Sequence, residues 1–139
     1  MRRDGCQLAR RVVEHVARRV PVVATATFGG AVAAQVSFVR RMAATGVDAV
    51  IVLPNQLAVP DEGEHDLRPR LEQLLAETGD IPLGLYECPQ SDHRVLSPDI
   101  VAWAAATGRF RYIKDTARDP ACIEPKVQAA AGSPLALFN

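Results

Sequence analysis

Of the 16 basic side chains in this sequence, only Lys114 and Lys126 are lysines; the rest are arginines. Lys114 closes a short apolar run that begins near residue 110. An amine at the end of a buried strand can shed its proton on desolvation and attack a carbonyl carbon, whereas a guanidinium effectively never deprotonates. A lysine there can also simply lay its stem along apolar surface and carry its charge to water. Tyr86 closes the preceding run. If the two runs are neighbouring parallel strands, about 4.8 Å apart, phenol and amine share one cavity. The phenol can then move protons to and from a carbinolamine and its departing water, or act as an aromatic filling the mouth of the fold.

The remaining candidates also stand where apolar runs end. Thr25 and Thr27, two residues apart, are placed on one face of a strand and could bond a substrate oxygen or serve as ordinary strand threonines. Gln56 and Thr116 follow the second and fourth runs and are candidates for substrate contact. So are His93 and Arg94, in the loop after Tyr86, because such loops overhang a site at the strand ends. The cluster Asp61, Glu62, Glu64, His65 and Asp66 has no regular metal-ligand spacing. It fits the start of a helix, whose dipole favours acidic residues, so no metal is expected. Gly29-Gly30 lacks the spacing of a dinucleotide fingerprint and the chain holds no GxxxxGK[ST], so no nucleotide cofactor is expected either.

Five strand-length apolar runs, at about 21–25, 49–53, 82–86, 110–114 and 135–138, are spaced as a strand plus a crossover helix requires. Helical spacing appears between them, with Val32, Val36, Val39 and Ala43 in one segment and Leu67, Leu71, Leu74 and Leu75 in the next. An earlier helix carries Leu8, Val12 and Val16. Gly46, Gly79 and Gly108 each follow a helical stretch, and Ser97-Pro98 opens one with a capping hydroxyl and a proline in the first turn. The order is helix, then strand and helix four times, then a last strand. Residues 49–53 show no polar alternation, so both faces of that strand are covered.

Two α/β architectures fit this pattern within a single domain, residues 1–139. One is an incomplete (β/α)-barrel with about five parallel strands and five helices; the other is an open doubly wound five-stranded sheet. The 16 acidic side chains balance the 16 basic ones, and no basic stretch interleaves with aromatics, which argues against nucleic acid as a partner. No apolar run approaches a membrane span of about 18 residues, so no membrane partner is expected. Three widely spaced cysteines form neither a disulfide framework nor a CxxC pair, which fits a reducing, cytoplasmic setting.

Leu85-Tyr86-Glu87-Cys88-Pro89 and Tyr112-Ile113-Lys114-Asp115-Thr116 resemble the Tyr-x-x-Pro and Ile-Lys-Glu/Asp segments of the dihydrodipicolinate synthase and N-acetylneuraminate lyase family. The likeness runs from Pro21 nearly to the end and includes Gly46-Val47-Asp48-Ala49 and Leu96-Ser97-Pro98. It implies a barrel enzyme, a homo-oligomer, that makes or breaks a carbon-carbon bond. Lys114 would form an imine with a 2-oxo acid such as pyruvate, Tyr86 would serve proton transfer, and no further cofactor is required. Aligned this way, the chain corresponds to the helix before the third barrel strand through the seventh strand. It departs from the family in having no Gly-Thr-Thr-Gly-Glu loop, in Asn55-Gln56 where synthases often place a second tyrosine, and in Ser91 where they place a carboxylate-binding arginine. The alternative is a non-catalytic barrel fragment that oligomerises through unpaired strand edges.

Overall fold

The computed structural model describes residues 2–90 and 92–139; Ser91 lies outside the described residues. Five strands, β1 (Val23–Thr25), β2 (Ala49–Val52), β3 (Leu83–Tyr86), β4 (Phe110–Lys114) and β5 (Ala136–Phe138), form one parallel sheet in the order β1-β2-β3-β4-β5. The five α-helices among the described residues are α1 (Arg2–Val16), α2 (Val32–Ala43), α3 (Glu64–Thr78), α4 (Pro98–Thr107) and α5 (Pro120–Ala130). Consecutive parallel strands joined by right-handed crossovers without a reversal place their linking helices on one face of the sheet. The architecture is therefore the incomplete (β/α)-barrel, and the doubly wound alternative, which needs a reversal of strand order, does not apply.

The core lies between sheet and helices. Val36 and Val39 of α2 and Leu67, Leu71 and Leu74 of α3 join Val50, Val52, Leu83 and Leu85 in one buried cluster. Each such side chain contributes about 1.5–3 kcal/mol on burial, which makes this layer the rigid part of the molecule. Ser97 caps α4 by accepting a hydrogen bond from the Ile100 amide, and Gly108 ends that helix in the left-handed conformation at φ 66°. Helix α1 differs from expectation. Ala9 is buried, Cys6, Val13 and Val16 are half-buried on the same stripe, and Leu8 and Val12 point outward with 64% and 40% of their surface exposed. Helix α1 thus turns the stripe Cys6, Ala9, Val13 and Val16 inward and leaves Leu8 and Val12 on the far side.

Strand β4 is irregular in a way that decides what faces where. Leu83 pairs with Phe110 but Gly84 pairs with Tyr112, so Arg111 is an extra residue in the ladder. In a regular strand Phe110 and Lys114, four apart, would share a face. The extra residue changes the parity. Phe110 is fully buried on the helix side, against Trp103 of α4 with ring centroids 5.8 Å apart, while Tyr112 and Lys114 line the opposite, inner face. Gly84 faces the shift. A Cβ there would lie 2.5 Å from Ile51 Cδ1 and 3.0 Å from the Tyr112 carbonyl oxygen, so a side chain would collide with the strands on both sides.

Candidate functional site

Tyr86 and Lys114 are direct partners in the β3–β4 register, at the C-terminal ends of both strands. They line a cavity of about 500 Å³ on the inner face of the sheet, walled mainly by Val23, Ile51, Tyr112 and Phe138. The cavity is apolar except for the phenols of Tyr86 and Tyr112 and the amine of Lys114, so these groups dominate its chemistry. Tyr86 is half-buried and Lys114 is exposed to the opening. Lys114 also borders a second, more polar groove of about 900 Å³ that contains His93, Thr116, Arg118 and Asn139. The amine therefore stands where an apolar pocket meets a polar one.

Alternation along the strands places the next residue of each strand on the helix side. These residues are Glu87 and Asp115, both fully buried. Between them lies the ammonium of Lys126 from α5, 2.6 Å from Glu87 Oε1 and 2.6 Å from Asp115 Oδ2. The remaining capacity of both carboxylates is met by backbone and amide donors. Glu87 accepts from the Leu96 and Thr116 amides at 2.9 and 2.8 Å, and Asp115 accepts from the Ala117 amide and Asn139 Nδ2 at 2.8 and 3.0 Å. Full satisfaction of this kind is what allows charge to be held out of water. Sequence reasoning missed Lys126. Its signal was a lysine in the inward stripe Ile123, Lys126, Ala130 of α5, together with an acidic residue directly after both Tyr86 and Lys114.

The loop after β3 is held from outside the cavity. Asn55 Nδ2 lies 3.2, 2.9 and 2.9 Å from the carbonyl oxygens of Cys88, Gln90 and Asp92. Arg94 donates to the Glu62 and Val59 carbonyls at 2.9 and 2.8 Å, so its guanidinium fastens the loop and does not line the cavity. His93 is different: its Nε2 lies 2.7 Å from Thr116 Oγ1 in the polar groove beside Lys114. His93 and Thr116 thus share the polar groove with Lys114, with the Thr116 hydroxyl also donating to the Glu87 carbonyl at 2.8 Å.

The other predicted contacts lie elsewhere. Thr25 is on the inner face and its hydroxyl donates to the Ile51 carbonyl at 3.1 Å. Thr27 lies beyond the end of β1, buried, with its hydroxyl accepting from the Leu53 amide at 2.7 Å. The pair therefore does not present two hydroxyls to the cavity, because the strand ends between them. Gln56 lines a separate groove with Gly29, Gly30 and Arg70. Among the described residues no cluster of His, Cys, Asp or Glu is arranged to hold a metal. The acidic run is spent locally. Glu62 is bound by Arg70, whose hydrogen bonds hold that carboxyl at about 2, below its ordinary range. Glu64 accepts from the Ser97 amide and hydroxyl, and Asp66 accepts from the Gly63 amide.

No protein-family model matches the sequence, and no curated protein matches it. Solved structures do match the fold. A dihydrodipicolinate synthase from Bacillus anthracis is 22% identical with a TM-score of 0.81, over 99% of this chain and 46% of its own. A prophage protein of E. coli K12 belonging to the dihydrodipicolinic acid synthase family, in complex with pyruvate, is 23% identical with a TM-score of 0.79, over 99% of this chain and 46% of its own. A 2-keto 3-deoxygluconate aldolase from Picrophilus torridus is 14% identical with a TM-score of 0.80, over 99% of this chain and 48% of its own. The chain spans about half the length of each of these proteins. It has the fold of one half of a dihydrodipicolinate synthase-type barrel.

Proposed function

We propose that this chain is the lysine-bearing part of a carbon-carbon lyase of the dihydrodipicolinate synthase and N-acetylneuraminate lyase family, acting on a 2-oxo acid such as pyruvate through an imine on Lys114. The observation that carries this is the direct pairing of Tyr86 with Lys114 at the mouth of a shared cavity. The pyruvate complex of the E. coli protein supports the choice of substrate class. Lys114 Nζ, as the free amine, attacks the carbonyl carbon, and the oxygen takes up a proton to give a carbinolamine. The Tyr86 hydroxyl protonates the departing hydroxyl, water leaves, and the nitrogen loses its remaining proton to the phenolate or remains as the protonated imine. Removal of a proton from the adjacent carbon gives an enamine able to attack an aldehyde. His93 and Thr116, which share the polar groove with Lys114, would contact the second reactant. The three cysteines are free thiols, which supports a reducing, cytoplasmic setting.

Reduction of the protein with borohydride in the presence of pyruvate tests this. The expected product is a stable pyruvyl adduct located on Lys114 by peptide mass spectrometry and missing in Lys114→Arg. No adduct, or an adduct that survives Lys114→Arg, refutes it. A second reading, a non-catalytic fragment that associates through its edges, draws on the two edge strands. Val23 of β1 and Phe138 of β5 are 43% and 53% exposed on the open inner face. Light scattering separates the two: association without imine formation favours the second.

A further inference from the structure

We propose that the buried Glu87–Lys126–Asp115 cluster is a positioning clamp that sets the phenol of Tyr86 against the amine of Lys114. This rests on the assignment of Lys114 as an imine-forming residue but does not depend on which carbonyl compound it takes. Three elements meet in the cluster: Glu87 extends β3, Asp115 extends β4 and Lys126 comes from α5, with both Nζ contacts at 2.6 Å. Each carboxylate belongs to the residue directly after a member of the functional pair, on the opposite face of the sheet. A displacement of either carboxylate therefore turns the backbone that carries Tyr86 or Lys114.

The contacts around the cluster reinforce this. Glu87 Oε2 accepts from the Thr116 amide, and the Glu87 amide donates to the Lys114 carbonyl at 3.1 Å, so Glu87 grips β4 from both ends. Asp115 is tied to β5 through its own amide, which donates to the Phe138 carbonyl at 2.6 Å. Two carboxylates share one ammonium, and all three groups are no more than 1% exposed. An apolar trio would fill the same volume without dictating which atoms face each other. A buried ionic arrangement costs more desolvation but fixes relative position. The clamp lies outside the apolar cavity, and although Asp115 backs the polar groove, both carboxylates are fully buried, so the effect on chemistry passes through the pair the clamp holds.

Rates of reductive methylation at Lys114, measured with formaldehyde and cyanoborohydride and followed by peptide mass spectrometry, test the coupling without any 2-oxo acid. Four proteins are compared at a temperature where circular dichroism shows each to be folded: wild type, Tyr86→Phe, Lys126→Met and the double variant. In the wild-type background Tyr86→Phe is expected to slow imine formation several-fold. In the Lys126→Met background the same substitution is expected to change the rate by less than twofold, because the phenol is no longer held against the amine. A cluster that contributes only stability would leave the Tyr86→Phe ratio equal in the two backgrounds, and that result overturns the proposal. Glu87→Gln, which releases β3 while leaving Lys126 paired with Asp115, carries the same comparison if Lys126→Met does not fold. A parallel arm with pyruvate and borohydride reads the substrate assignment separately: absence of trapping there sinks the 2-oxo acid and leaves the methylation ratio intact.

Discussion

Deleting Arg111 should leave both faces of the sheet as they are. Arg111 is the extra residue between the Leu83–Phe110 and Gly84–Tyr112 pairs, and it is exposed. Without it, Phe110, Tyr112, Ile113 and Lys114 become four consecutive residues facing helix layer, cavity, helix layer and cavity in turn, as each does now. The partners on the other side, Tyr112–Ala136, Ile113–Leu137 and Lys114–Phe138, need not shift. Loss of one exposed side chain and a local irregularity should cost no more than about 1 kcal/mol.

A regular β4 would respond very differently. Deletion of a residue from an unbulged strand reverses the facing of everything on one side of the cut. Either Phe110, now fully buried, would leave the helix layer, or Ile113 would leave it and Lys114 would enter it. Loss of the Phe110 contacts alone is on the order of 3–5 kcal/mol. Urea denaturation followed by circular dichroism distinguishes about 1 from 3–5 kcal/mol, and borohydride trapping of pyruvate reports whether Lys114 still faces the cavity. A deletion variant that is destabilised by more than about 3 kcal/mol, or whose Lys114 becomes unreactive while the fold persists, would refute the parity explanation.

Other substitutions probe the same framework. Lys126→Met removes the only ammonium between two buried carboxylates and should destabilise the chain by roughly 3–5 kcal/mol, measured by urea titration. Ser97→Ala removes the cap of α4 and a partner of Glu64, and should cost about 1 kcal/mol with a matching fall in thermal midpoint. Asn55→Ala frees the carbonyls of Cys88, Gln90 and Asp92, and should raise the rate of proteolytic cleavage in the loop after β3 while the sheet stays protected from hydrogen exchange. The Glu62–Arg70 pair makes stability depend on pH. Its carboxyl lies below the ordinary value of 4.5, at about 2 in the folded chain, so its contribution is present above pH 4.5 and is lost as pH falls toward 2. The stability difference between wild type and Arg70→Met should therefore be constant above pH 5 and shrink steadily below it.

Much of this architecture was legible because it rests on period and punctuation. The five apolar runs were placed within two residues of the five strands, since a parallel strand with helices on one face and an apolar inner cavity on the other reads as a short continuous stretch bounded by glycine and proline. Ser97-Pro98 marked α4 for the local reason that a hydroxyl there meets an orphan amide. Two features were not legible. The facing of Lys114 depends on an extra residue, and the clue was on the partner strand: Gly84 in a strand interior, which often marks a bulge or a close backbone approach. Helix α1 misled because hydrophobicity favoured Leu8 and Val12, whereas the stripe that faces the fold is Cys6, Ala9, Val13 and Val16. Among the predicted contacts, Arg94 and Thr27 are polar groups near the strand ends whose hydrogen bonds go to the backbone, a distinction that depends on loop geometry and not on residue type.

The position of the site within the half barrel bears on how its chemistry and its affinity divide. What this chain supplies is the rigid side: β3 and β4 carry phenol and amine, and α5 reaches under both through Lys126. The facing side of the cavity is open, with Val23 and Phe138 at its rims, and the sequence contains no Gly-Thr-Thr-Gly-Glu segment that could grip the carboxylate of an oxo acid. Groups that touch the reacting carbon lower the barrier to imine formation, whereas groups that hold the remote carboxylate contribute mainly to binding. Under the proposed function Tyr86 and Lys114 are of the first kind, and the chain holds no such segment of the second. Its trapping by pyruvate should accordingly rise almost linearly with concentration into the millimolar range while remaining confined to Lys114. Saturation at micromolar pyruvate would require a carboxylate-binding group that the open cavity does not contain, and would move the substrate site into the polar groove beside His93 and Thr116.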